Sequence, residues 1–246
     1  MLKRAPSLTD QVKSHIKELI LNGEFPDGRI PAEMELAEVL GVSRTTVRDA
    51  LGRLEMEGAI NRRQGAGTFV NDPVLQIRSR LEEIWSYEAM LQAHGFAPST
   101  VVVEVASTTA GSDMVGSGTA EALNLEAHDP VLFVKKLFLE NDVPVILACN
   151  VLPDWVFTRV IDQDELKRPI YELLDEYGLS RLSYYLTEIV PVLAVDDVSD
   201  LLQIAPGTPL ISFDETGYDA DNHPIIKSYS YFRDDLLRLR LMRRRV

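Results

Sequence analysis

The feature that most constrains this chain is the join Gly41-Val42-Ser43-Arg44, which has an apolar helical stripe on either side. Upstream, Leu36, Ala37 and Leu40 recur at the three-and-four spacing of one helix face, which predicts a helix over about Ala32 to Leu40. Gly41 ends it, because glycine tolerates the left-handed backbone of a helix stop. Val42 fills the inside of a three-residue turn. Ser43 brings a side-chain oxygen to the free amides of a second helix, which is expected to start at Arg44.

On that second helix Val47, Ala50, Leu51 and Leu54 form one apolar stripe. Arg44 and Arg48, four residues apart, leave together from the opposite side near the N-terminus, with Thr45 and Thr46 beside them. A guanidinium can hold the O6 and N7 of guanine with paired hydrogen bonds, and short hydroxyls suit phosphates and base edges. The helix is expected to stop at Gly58. Ala59 to Arg63 and Thr68 to Asn71 then read as two strands around Gln64-Gly65-Ala66-Gly67, whose glycines permit a tight tip, with Arg62 and Arg63 at its base. Two arginines alone are usually a solvated helix face. The cap, turn, helix and hairpin in succession point instead to DNA.

These residues resemble the winged helix-turn-helix of GntR-type bacterial transcription regulators. The likeness is carried by Pro31, Ala32, Glu33, Glu35, Leu36 and Ala37, then Gly41 through Arg48 with Ala50, Leu51 and Leu54, and finally Gly65, Gly67, Thr68, Phe69 and Val70. The resemblance implies DNA contacts from Glu33, Ser43, Arg44, Thr45, Thr46, Arg48, Gln64 and Gly65. It also implies a homodimer on a palindromic double-stranded operator, with half-sites built on a GT/AC core. One departure is Met34, which stands where the family often has a base-reading arginine.

The net charge of −13 argues against nucleic acid until it is divided along the chain. Residues 1–71 hold ten Lys/Arg and ten Asp/Glu, so the whole deficit lies in the remainder, with 15 basic against 28 acidic residues. Local arrangement must therefore supply the attraction, and an acidic bulk favours correct orientation over non-specific adhesion. No apolar run approaches a membrane span, and Met1-Leu2-Lys3-Arg4 leads into Pro6 instead of a signal-peptide core. A cytoplasmic protein without a membrane partner is expected. Cys149 is the only cysteine, so no intrachain disulfide forms, and Leu147 and Val151 around it read as a strand.

Ahead of the helix pair, Ser7 or Thr9 is expected to cap a helix from about Asp10 to Asn22, packed under the second helix through Val12, Ile16, Leu19 and Ile20. Asp72-Pro73 breaks the last hairpin strand, so the division expected is a reading head at 1–71, a linker at 72–80 and a second domain at 81–246. In that second domain Leu81, Ile84, Trp85 and Leu91 mark a helix ending at Gly95, and a further helix is expected near Met114 to Leu123. Strands are expected over Ser99 to Ser107, Val131 to Glu140, Val143 to Leu152, Leu182 to Leu193, Leu210 to Tyr218 and Ile225 to Phe232. Helices are expected at Ile170 to Tyr177 and Asp196 to Ile204. Paired strands with helices between them make an α+β chain with an antiparallel sheet.

The second domain resembles the UTRA effector domain of HutC-type regulators, which shares its fold with chorismate lyase. Leu152-Pro153, Tyr171-Glu172-Leu173-Leu174, Tyr177-Gly178, Pro206-Gly207-Thr208-Pro209, Tyr218-Asp219-Ala220-Asp221 and Phe232-Arg233 carry the likeness. It implies a dimerising, effector-binding domain and so a ligand-responsive regulator, expected to be a repressor. Where sugar-phosphate-sensing members read R-x-R-x-x-D-G-x-P, this chain has Lys136 and Phe138, and Glu215 replaces an arginine expected three residues before Tyr218. Loss of a bidentate clamp disfavours a phosphate dianion. An effector of more apolar or cationic character is expected, held by Lys136, Phe138, Tyr184 and Glu215.

An enzyme with an appended DNA-binding domain is the competing class, because the fold family includes a lyase. His15, His94, His128 and His223 are scattered, with no metal-ligand spacing and no nucleophile-base motif, so no metal or cofactor is expected. Asp219 to His223 begins like a calcium loop but lacks its glycine and distal glutamate. It reads as a turn. The arginines of the extreme C-terminus, Arg243 to Arg245 among them, read as a solvated basic tail.

Overall fold

A computed structural model describes residues 7–25, 27–71, 81 and 86–240. The expected linker at 72–80, Ile84, Trp85 and the tail arginines lie outside the described residues. The chain divides into two compact units, of which the first holds the described residues 7–71 and the second spans residues 81–239.

In the first unit, α1 (Leu8–Leu21) starts at Leu8 because Ser7 is the cap, accepting from the Asp10 N–H at 3.2 Å. The helix α2 (Glu33–Leu40) ends at Gly41 with φ 64°, and α3 (Arg44–Met56) starts behind Ser43, whose Oγ accepts from the Thr46 N–H at 3.1 Å. Val12, Ile16, Ile20, Leu36, Val47, Leu51 and Leu54 are buried in one cluster. Three strands follow the order β1 (Arg29–Ile30), β3 (Gly67–Val70), β2 (Ile60–Arg63). The two residues of β1 were not expected as a strand; Arg29 and Ile30 have no strand periodicity and pair only because β3 lies alongside.

The second unit is one six-stranded antiparallel sheet in the order β4-β5-β6-β9-β8-β7. Its strands are β4 (Pro98–Thr109), β5 (Pro130–Glu140), β6 (Val143–Pro153), β7 (Tyr184–Leu193), β8 (Pro209–Tyr218) and β9 (Pro224–Phe232). Asn141 and Asp142, at φ 48° and 64°, make the tight turn between β5 and β6. The helices are α4 (Tyr87–Ala93), α5 (Thr119–Ala122), α6 (Ile170–Tyr177) and α7 (Asp196–Leu202).

Three helix expectations need correction. Within the described residues α4 starts at Tyr87, where Ser86 caps it through the Ala89 N–H at 3.0 Å. The single helix expected at 114–123 is a 3-10 turn, Asp113–Val115, and the short α5, because Gly116 and Gly118 between them adopt φ 84° and 81°. The last, α7, has no side-chain cap and stops at Leu202, where Gln203 turns left-handed at φ 54°.

One face of the sheet carries two apolar clusters. Leu152, Leu173, Leu174, Ile225 and Ile226 gather under α6, and Met90, Leu91, Phe138, Ile146, Phe213 and Phe232 gather under α4. Gly217 sits where β8 passes under the first cluster. A Cβ there would lie 2.5 Å from Ile226 Cγ2 and 2.7 Å from both Leu182 Cδ1 and Tyr185 Cε1. Gly217→Ala is therefore expected to cost about 1–3 kcal/mol by overpacking. Urea unfolding of the second unit's transition checks this, and an unchanged midpoint would show that β7 shifts freely to make room.

Candidate nucleic-acid interface and effector site

Arg44 and Arg48 are exposed on the first turns of α3, with Thr45 exposed between them. The Arg44 Nε donates to Glu33 Oε2 at 3.1 Å, and Glu33 Oε1 lies 4.0 Å from an Arg62 nitrogen. One carboxylate at the start of α2 thus orients a guanidinium of α3. Arg62 also donates to the Arg48 carbonyl at 3.0 Å and lies 3.4 Å from Glu55, so the base of the hairpin is fastened to α3. Arg63 lies over the Phe69 ring at 4.7 Å. Gln64 and Gly65 are exposed at the tip, where Gly65 and Gly67 take φ 74° and 118°. Met34 is 60% exposed, as the side chain standing in for an arginine would have to be.

In the second unit strand alternation sorts the effector candidates. Lys136 faces Ala148, which faces Ser230, which faces Phe213, and Glu215 lies two residues further along β8. Lys136, Phe138, Ser230 and Glu215 therefore share one face; Lys136, Ser230 and Glu215 lie in a polar band between the two apolar clusters, and Phe138 belongs to the one under α4. Lys136 is only 2% exposed and its Nζ donates to the Arg168 carbonyl at 2.6 Å. Burial holds its ammonium down at about 8, against a partial pull from Glu88. Glu215 accepts from Thr187 Oγ1 at 2.6 Å, and burial pushes its carboxyl upward against the hydrogen bonds of Thr187 and Tyr87. The Tyr87 hydroxyl donates to Ser230 Oγ at 2.7 Å and lies 3.5 Å from Glu215, while its ring meets Phe138 edge-on at 5.2 Å.

Tyr184 does not join them. It pairs with Tyr218 on the opposite face, stacks on that ring at 5.2 Å, donates to Asn222 Oδ1 at 2.8 Å and is 42% exposed. The alternation places Tyr185 and Thr187 on the Glu215 side instead.

Residues 8–70 match the family described as bacterial regulatory proteins, gntR family, and residues 93–238 match the UTRA domain. The chain is 31% identical over 202 residues to a histidine utilization repressor of Pseudomonas putida, spanning 82% of this chain and 78% of that one. The chain belongs to the GntR family, HutC type. It is 26% identical over 229 residues to the transcriptional repressor NagR of Bacillus subtilis, covering 92% of this chain and 90% of NagR. Its fold is that of the solved regulator YydK of Bacillus subtilis, with TM-score 0.75, 16% identity, and 97% and 100% of the two chains covered. Against PhnF of Mycobacterium smegmatis the TM-score is 0.58 at 25% identity, covering 95% and 99%. As a GntR-family protein it is a DNA-binding transcription regulator and not an enzyme.

Within this GntR-family effector domain, sequence reasoning did not single out Tyr87, Thr187 and Ser230, which the fold gathers beside Glu215. Tyr87 lies on a helix far from Glu215 in the chain, and only the packing of α4 on the sheet joins them. A regular strand at 184–193, with its parity counted from Tyr218, would have found Thr187. A buried ammonium with one acceptor is costly to keep. Lys136→Met is expected to raise the second unit's unfolding free energy at pH 7 by about 1–3 kcal/mol. In the wild type, stability should rise as pH climbs from about 8, because there the folded Lys136 is deprotonated before the unfolded one. Chemical denaturation of both proteins across that range is the check; a less stable Lys136→Met would mean that the Arg168 contact outweighs the burial.

Proposed function

We propose that this GntR-family chain is a ligand-responsive repressor that binds a palindromic operator as a homodimer, with a small-molecule effector controlling release or rebinding. The observation that carries the reading is the exposed Arg44–Arg48 face of α3, flanked by the glycine-rich hairpin tip. One such helix spans a half-site, so a two-fold dimer matches a two-fold operator. Arg44 and Arg48 would read bases, with Glu33 orienting Arg44. Ser43, Thr45, Thr46, Gln64 and Gly65 would set register against the phosphates and the groove.

Lys136, Phe138 and Glu215 would line the effector site, and residues 72–80 would pass its state from the second domain, 81–246, to the reading head, 1–71. The NagR and histidine utilization relatives, both named as repressors, support the direction of control. The protein would work in the cytoplasm; among the described residues no helix is long and apolar enough to cross a membrane.

Arg48→Ala is expected to cost about 1–3 kcal/mol per half-site and to relax the preference at one guanine. Fluorescence anisotropy on cognate and substituted operators at matched salt measures it, and unchanged cognate affinity would remove Arg48 from base reading. Met34→Arg is expected to gain about 1 kcal/mol or more on operators of relatives that carry arginine there. A competition assay showing no gain would mean that position 34 plays no part in readout here.

A further inference from the structure

The polar band of the second unit holds two charges that do not compensate each other. Among the described residues, Glu215 faces neutral hydroxyls: it accepts from Thr187, and the Tyr87 hydroxyl lies 3.5 Å away. Lys227, whose field reaches it, lies on the opposite face of the sheet and binds Asp214, with Thr216 Oγ1 at 3.4 Å. Lys136 sits on the same face as Glu215 with two strands between them and an offset of two residues along β8, so their backbones are roughly 16 Å apart at ordinary strand geometry. One of its three N–H donors goes to the Arg168 carbonyl. Phe138 lies one pair along β5 on the side of Lys136 away from Glu215, and its ring meets that of Tyr87, whose hydroxyl reaches towards Glu215.

We propose that the effector is zwitterionic, with a cationic nitrogen seated on Glu215, an acidic group seated on Lys136, and an apolar body against Tyr87. The inference rests on the reading of this face as the effector site and names the ligand class. A carboxylate flanked by hydroxyls, with no guanidinium to answer it, accepts two or three N–H donors from a ligand and repels a phosphate at the same end. The ammonium at the other end, already within the field of Glu88, favours a monoanion over a dianion, because it offers one point charge and a neighbouring carboxylate.

Three para-substituted benzoates that differ only in the group opposite the carboxylate test this on the full-length protein by titration calorimetry. They are para-(aminomethyl)benzoate, para-methylbenzoate and para-(phosphonomethyl)benzoate. The amine is expected to bind about tenfold or more tightly than the methyl compound, with the phosphonate weakest, as a charge-assisted hydrogen bond would give. Glu215→Gln should bring the amine and methyl compounds to about equal affinity, and Glu215→Asp should retain part of the preference. Operator binding and a cooperative thermal transition establish that each variant is folded, and the three-compound order in the wild type stands as a test without any variant.

The inference fails if the phosphonate binds as well as the amine, if Glu215→Gln keeps the amine preference, or if none of the three binds. Charge-selective binding that leaves operator affinity unchanged would uphold the zwitterion site and sink the effector reading instead.

Discussion

The second unit is organised by a buried ammonium whose burial outweighs the pull of the one carboxylate acting on it, Glu88. Lys136 stands on the inner face of the sheet with a backbone carbonyl as its acceptor, and burial depresses its proton affinity. An apolar side chain there would join Phe138 and Val134 in ordinary core packing, so the lysine is retained against stability. Groups of that kind cluster where a protein binds something. The rest of the face follows from the same constraint. The apolar clusters under α4 and α6 stay separate, and hydroxyls and amides fill the band between them: Asn150 with Ser228 at 3.0 Å, and Ser230 with Tyr87 at 2.7 Å.

The reading head solves the opposite problem, which is to keep charge in solvent and aimed. Its acids and bases balance, so attraction to DNA comes from placement and not from net charge. Glu33 gathers Arg44 and Arg62, and Arg62 ties the hairpin to the Arg48 carbonyl. These pairs are partly exposed and contribute little stability. Their effect is geometric: they restrict the rotamers of the exposed Arg44 side chain, so that less entropy would be lost if it bound a ligand.

How much of this was legible in the sequence depends on the range of the interaction. Gly41 and Ser43 act on backbone groups within three residues, so the stop of α2 and the start of α3 could be read directly. The strand β1 exists only through its pairing with β3, and two residues carry no period to read. Gly116 and Gly118 had local consequences that the apolar spacing of the segment concealed. Lys136 and Phe138 were singled out through a resemblance that names their positions. Tyr184, expected beside them, lies on the other face, since a single residue along β7 separates the Glu215 face from the face where Tyr184 stacks on Tyr218.

Under the proposed function, ligand occupancy of the Lys136–Glu215 face and operator binding by the α3 face are coupled. The most direct measurement is a pair of titrations with whichever compound native mass spectrometry finds bound to the purified protein. Operator affinity is measured with and without the compound, and compound affinity with and without the operator. Coupling through one protein must be reciprocal, so both affinities should change by the same factor, corresponding to about 1–3 kcal/mol. Two independent affinities, each indifferent to the other ligand, would contradict the account.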